Sequence, residues 1–293
     1  MVQFRKITIV GLGLLGGSIG LAARKRGIAA EIAGYARRER TVAESEKIRA
    51  TDYSTTDLLA AVSDADLVIL CTPVAQMLAL AERFLPALKR GAIVTDVGSV
   101  KGEVVRDLEP LVARAGAHFV GSHPMAGGEK NGVLAARADL FKNAVCVVTP
   151  TKKSNNGAVR KLEKFWKTLG GRVLKLPPGQ HDELASRASH LPHVLAATLA
   201  GLVLDPARPE AQWQLCAGGF RDTTRIASGS PEMWRDIALS NRKNLAKSIA
   251  GFVSELQKFQ GVLKRADGRA LLKIFETAKV RRDAWCADST STE

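Results

Sequence analysis

The sequence has no long apolar run: nothing in its 293 residues approaches the ~20 consecutive apolar residues that a membrane-spanning helix needs. No basic start leads into an apolar N-terminal core either, so no secretory signal is read and a cytoplasmic protein is expected. Cysteine is scarce, and Cys71, Cys146, Cys216 and Cys286 stand far apart. That argues against a disulfide framework; Cys71 and Cys146 fall in apolar runs expected to be buried strands, as structural thiols of a reducing compartment. Aromatic residues make up only 5 %, and they do not interleave with the basic clusters as a base-stacking platform requires, so nucleic acid is not an expected partner. Acidic residues are also few, 29 against 43 Lys plus Arg, leaving a net charge of +14 that favours small phosphorylated or carboxylated ligands. What remains, 46 % apolar and 25 % charged, is the balance of an ordinary globular protein, long enough for two domains.

Two patterns share the chain. Short β-branched runs at 6–10, 31–35, 67–71, 92–96, 118–121, 144–149 and 172–176 alternate with helix-length stretches at 14–26, 75–89, 101–115 and 157–169. This is the signature of an α/β, doubly wound parallel sheet of Rossmann type. After Pro177 and Pro178 the β-branched clusters vanish, and helical spacing runs through 180–204, 231–264 and 268–285. The expected domains are therefore a dinucleotide-binding domain, 1–177, and an all-helical domain, 178–293, with a frayed tail from Ala284 onward.

The first strand runs into Gly11-Leu12-Gly13-Leu14-Leu15-Gly16 and then a helix. Gly11 permits a tight turn, Gly13 lets backbone approach a pyrophosphate, and Gly16 allows helix and strand to pack closely, while the amides of the helix start face the phosphates. Where an NAD site carries an acid for the ribose hydroxyl, about twenty residues on, this chain has Ala36 followed by Arg37 and Arg38, which favours NADP, with NAD possible. Thr72 and Pro73, after the 67–71 strand, complete the candidate cofactor-binding residues.

Polar, titratable residues gather in four glycine-bearing or helical segments: Asp96-Val97-Gly98-Ser99-Val100-Lys101, Gly121-Ser122-His123-Pro124-Met125-Ala126-Gly127, Ser189-His190-Leu191-Pro192-His193, and Gly219-Phe220-Arg221-Asp222-Thr223-Thr224-Arg225. The first two end strands, where ligands bind in open α/β sheets. His190 and His193 are spaced like metal ligands, but no cysteine or acid completes a zinc pattern, so no metal is expected. Read alone, His123 could merely cap a strand, Ser99 could be a helix N-cap, and Arg221 or Arg225 could pair on the surface with Asp222 or Glu232.

With the glycine turn and Pro231-Glu232-Met233-Trp234, these segments resemble the prephenate and arogenate dehydrogenase family of tyrosine biosynthesis over nearly the whole chain. The resemblance implies oxidative decarboxylation of a small substrate: a hydride leaves the ring carbon bearing the 4-hydroxyl, and loss of the ring carboxylate aromatises the ring. It assigns His123 as the base that accepts the hydroxyl proton, Ser99 as its orienting partner, Arg225 as the carboxylate anchor, and His193 as a substrate-positioning residue. Trp234 either packs the helical domain or walls the substrate pocket. No acid stands in Ser228-Gly229-Ser230, where relatives favouring arogenate tend to carry one, so prephenate is the expected substrate. A homodimer through the helical domain is also implied, using the apolar stripes at 237–259 and 271–280, and no regulatory module is expected. Two rivals fit less well. A β-hydroxyacid dehydrogenase needs a lysine that 180–204 lacks, and an NADPH-sensing regulator needs a DNA-binding module that no segment suggests.

Overall fold

The computed structural model describes residues 2–128 and 130–290. Six parallel strands form the main sheet: β1 (Phe4–Val10), β2 (Ala29–Tyr35), β3 (Tyr53–Thr55), β4 (Leu67–Leu70), β5 (Ile93–Asp96) and β6 (His118–Phe119), in the order β3-β2-β1-β4-β5-β6. Between them run α1 (Leu14–Arg26), α2 (Glu39–Lys47), α3 (Leu58–Val62), α4 (Val74–Phe84) and α5 (Gly102–Arg114). Side chains alternate across each strand. Ile7 and Ile9 therefore join one core cluster with Ile19 of α1, while Val10, Val68 and Val94 join another with Met77 of α4 and Leu108 of α5. Both faces are covered, which is why β4 is buried at every position.

A second sheet of β7 (Gly121–Pro124), β8 (Val145–Thr149) and β9 (Arg172–Lys175) pairs antiparallel at β7-β8 and parallel at β8-β9, with α6 (Asn156–Thr168) beside it. The single strand expected over 118–121 is thus two strands in different sheets, parting at Val120. Ser122 explains the parting: its Oγ donates to the Asp96 carbonyl at 2.6 Å and its amide to Asp96 Oδ1 at 3.2 Å, so side-chain bonds replace the ladder at the end of β5. Strand β3 and helices α2 and α3 were not foreseen; the first and last are too short to carry a period. Cys146 is buried in β8 as expected, whereas Cys71 follows β4 and is half-buried.

The stretch 180–204 is not one helix. Helix α7 (Pro178–Ala185) passes through a π turn, Ser186–His190, into α8 (Leu191–Val203). Pro192 has no amide to give to the preceding turn, so the helical ladder rearranges ahead of it, and such π turns occur often at functional sites. Short helices α9 (Glu210–Gln214) and α10 (Gly218–Thr224) and a 3-10 turn, Arg225–Ser228, lead to α11 (Pro231–Ser240). The helix expected over 231–264 breaks at Asn241 into α11 and α12 (Arg242–Lys264). Helix α13 (Gly268–Thr290) runs well past Ala284, correcting the expectation of a tail there. By contacts the chain divides into compact units at 1–241 and 242–293, so the residue pair 177/178 lies within the first unit. In the second unit α12 packs on α13, with Phe259 edge-on to Phe275 at 5.9 Å.

Candidate active site

The glycine turn is a backbone device. Gly11 holds φ +107, and a Cβ there would lie 2.8 Å from the Cys71 carbonyl oxygen and 2.9 Å from Thr72 Cγ2. A Cβ on Gly16 would fall 2.1 Å from the Gly11 oxygen, so no side chain fits, whereas the space in front of Gly13 is open. No side chain caps α1, which leaves its first amides directed at the end of the sheet. Thr72 Oγ1, buried beside the turn, has no hydrogen-bond partner among the described residues. Open amides, a close-approach glycine and an orphaned hydroxyl together fit a dinucleotide. Ala36 is buried at the end of β2, and Arg37 and Arg38 are exposed just beyond it; Pro73 stands at the N-terminus of α4.

Next to this turn lies a cluster of buried polar side chains. Asp96, at the end of β5, accepts from the Gly98 amide at 2.8 Å and pairs with the Lys101 ammonium, which also donates to the Ser122 carbonyl at 2.8 Å. Both charges are fully buried, and Lys101 is pushed down by that burial while Asp96 holds it up. Asp182 of α7 caps α5 from outside: its Oδ1 accepts from the Lys101 amide at 2.7 Å and its Oδ2 from the Gly102 amide at 2.8 Å. Gly102 permits this approach, since a Cβ there would sit 2.8 Å from Asp182 Oδ2. Lys101, not Ser99, is the N-cap position, and no side chain of the local sequence caps the helix.

The histidines are strung along this frame. His123, in β7, places Nδ1 2.9 Å from Nε2 of His181, whose Nδ1 lies 2.8 Å from Asp182 Oδ1. Asn241 donates to the Asp182 carbonyl at 2.8 Å and stands 3.1 Å from His190 Nδ1. His190 meets the edge of Trp234, and His193 stacks on Trp234 with ring centroids 3.4 Å apart. His193 Nε2 and Trp234 Nε1 are both buried without partners, and both face Gly229, where a Cβ would come within 3.1 and 2.8 Å of them. Burial holds His123 well below the usual histidine range, with His181, Lys101 and His190 adding to it; burial also lowers His193, to about 4.

His123, His193 and Trp234, predicted from sequence, are thus joined by a continuous chain of contacts through His181, Asp182, Asn241 and His190. Ser99 is half-buried, and its backbone lies by His190. Arg225 lines a cavity of about 490 Å³ together with Arg221, Phe220, Thr224 and Ser228. The loop after His123 reaches the glycine turn, since a Cβ on Gly128 would sit 3.6 Å from Leu14 Cδ2. Sequence reasoning missed His181, Asp182 and Asn241, and it singled out the segment of Asp96 and Lys101 without giving either residue a role. The adjacent titratable pair at 181 and 182, directly after two prolines, was the available signal. Among the described residues no group of three or more His, Cys, Asp or Glu could hold a metal ion, and no helix is long and apolar enough to cross a membrane.

Two family models match the chain: prephenate dehydrogenase, nucleotide-binding domain, over residues 19–175, and prephenate dehydrogenase, dimerization domain, over residues 177–277. The chain belongs to the prephenate dehydrogenase family. It is 37 % identical to the prephenate dehydrogenase of Bacillus subtilis over 94 % of this chain and 75 % of that protein. It is 34 % identical to the cyclohexadienyl dehydrogenase of Zymomonas mobilis over 98 % of both chains. A crystal structure of the prephenate dehydrogenase from A. aeolicus, in complex with hydroxyphenyl propionate and NAD+, superposes with a TM-score of 0.89 at 33 % identity, covering 96 % of this chain and 98 % of that one. The Rossmann-type sheet with helices following it is the architecture of the family. Membership also removes the β-hydroxyacid dehydrogenase and regulator readings. The seam between the two matched regions lies beside the expected boundary at 177/178, while the glycine turn precedes the first match.

Proposed function

We propose that this protein is a nicotinamide-dependent dehydrogenase that converts prephenate to 4-hydroxyphenylpyruvate and carbon dioxide. The observation that carries the reading is His123: a buried imidazole kept uncharged, at the head of a loop that reaches the glycine turn. A neutral ring nitrogen is what the 4-hydroxyl proton needs as acceptor, and its removal drives electron density toward the carbon that loses hydride. Loss of the ring carboxylate then completes the aromatic ring. Arg225 anchors a carboxylate from the cavity wall, and His193 and Trp234 present unpaired ring nitrogens to the substrate beside Gly229. Ser99 orients the reacting groups. Residues 1–177 form the dinucleotide-binding domain, which also carries His123 and Ser99, and residues 178–293 the helical substrate and dimerisation domain.

Gly11, Gly13, Leu14, Leu15 and Gly16 would hold the pyrophosphate, with Thr72 and Pro73 at its side; when bound, the nicotinamide supplies the hydride acceptor. Exposed Arg37 and Arg38 after Ala36 support NADP over NAD. The absence of an acid in 228–230 supports prephenate over arogenate, whose ammonium would want a carboxylate. A homodimer through the helical part is supported by exposed Val253, Leu256, Leu272, Phe275 and Val280 on α12 and α13. The test is to mix the protein with prephenate or arogenate and NADP or NAD, following reduced cofactor and carbon dioxide. Turnover is expected with prephenate and NADP above the other pairings. Cofactor binding without turnover on either substrate overturns the proposal.

A further inference from the structure

We propose that His181 and Asp182 form a proton relay behind His123, fixing Nε2 of His123 as the accepting atom and taking over, at Nε2 of His181, the proton that His123 releases from Nδ1. The inference rests on the reading of His123 as the base. It follows from the donor and acceptor inventory of three side chains. Both oxygens of the Asp182 carboxylate already accept amides from the start of α5, at 2.7 and 2.8 Å. The carboxylate is acceptor only, so the proton between it and His181, at 2.8 Å, belongs to Nδ1 of the imidazole. A neutral imidazole has one N–H, which leaves His181 Nε2 as an acceptor facing His123 Nδ1 at 2.9 Å. His123 must then carry its proton on Nδ1. Its Nε2, which has no hydrogen-bond partner among the described residues, keeps a lone pair.

The relay step balances without any electron transfer. The substrate O–H breaks as N–H forms at His123 Nε2; N–H at His123 Nδ1 breaks as N–H forms at His181 Nε2. One proton has entered, and the positive charge has moved from a ring near the Lys101 ammonium to a ring hydrogen-bonded to the Asp182 carboxylate. Both imidazoles are almost wholly buried, His123 at 6 % and His181 at 2 % exposure, so water does not replace the link. The charged or titratable groups facing the pair are Lys101 ahead of α5, Asp96 beyond it on β5, Asp182 on α7, and His190 on the π turn. Of these four groups, among the described residues, Asp182 alone hydrogen-bonds to His181.

Three measurements on the full chain test the proposal. In the unaltered protein, 15N NMR of the ring nitrogens should show His123 and His181 both protonated at Nδ1 and unprotonated at Nε2; the opposite tautomer at His123 overturns the relay even if every variant fails to fold. In His181→Gln, the amide can accept from His123 and donate to Asp182 but cannot take up a proton. With cofactor affinity and prephenate KM unchanged, kcat should fall about tenfold to a hundredfold. The acid limb of kcat/KM should move to lower pH, because the protonated pair loses its site beside Asp182 and needs more acid to form. Unchanged kcat and acid limb overturn the relay while leaving His123 as base. A fully active His123→Asn overturns the base itself, and with it the relay.

Discussion

At the glycine turn the working groups are amides, and the side chains matter by being absent: Gly11 and Gly16 have no room for a Cβ, and α1 has no side-chain cap. In the histidine cluster the working groups are side chains, brought together from β5, β7, α7, the π turn and the end of α11. The turn is contiguous in sequence and needs only a strand and a helix to shape it. The cluster has members as distant as Lys101 and Asp182, and it is complete only with both sheets and α7 in place. A device made of backbone tolerates little substitution but assembles locally; a device made of side chains can be tuned, yet depends on the whole fold.

The sharpest way to break this contrast is at Lys101, inside the side-chain cluster. Lys101→Met strands the Asp96 charge in the interior and should destabilise the fold by about 3–5 kcal/mol in urea unfolding. A loss below about 1 kcal/mol, the scale of a surface pair, would mean the buried pair does not hold the cluster together. Next in size, His123→Asn should lower turnover on the order of a hundredfold or more while cofactor binding, followed by fluorescence titration, stays as it was. Gly16→Ala is the mirror experiment. A Cβ 2.1 Å from the Gly11 oxygen must displace the turn, weakening cofactor binding by about 1–3 kcal/mol in the same titration. Smaller still, Arg37→Ala with Arg38→Ala should cost NADP about tenfold in affinity, with NAD unaffected.

The last prediction concerns pH. His193 is held at about 4, below its ordinary 6.5, so between those values the unfolded chain binds more protons than the folded one. Stability is therefore full above about 6.5 and is lost as pH falls toward 4. His193→Phe keeps a ring to stack on Trp234 and should make the slope of Tm against pH shallower over that window. It should not abolish the slope, since His123 and His190 are lowered by burial in the same sense. A slope identical to that of the parent protein would place His193 in solvent rather than against Trp234.

The turn was legible because its rules are local. Helix α1 begins and ends where glycine, apolar spacing and basic residues said it would, at Leu14 and Arg26, with Gly27 left-handed after it. The strands β1, β2, β4 and β5 followed from their short β-branched runs, while their order in the sheet did not. Three-residue β3 and five-residue α3 were not legible by period, although Asp57, which caps α3 through the amides of Leu59 and Ala60, was a readable start signal.

By itself the sequence determined the class of fold, the glycine turn after the first strand, and the polar segments from which the candidate site is built, because each depends on near neighbours or on a composition that changes at the two prolines. Only the tertiary structure decided which of those residues touch. Val120 parts two sheets because Ser122 finds Asp96, and α5 is capped by an aspartate that lies 81 residues from Lys101. His123 Nδ1 meets Nε2 of His181, 58 residues along the chain. Partners at such separations are chosen by the packing of whole layers against one another, and no periodicity within one segment records that choice.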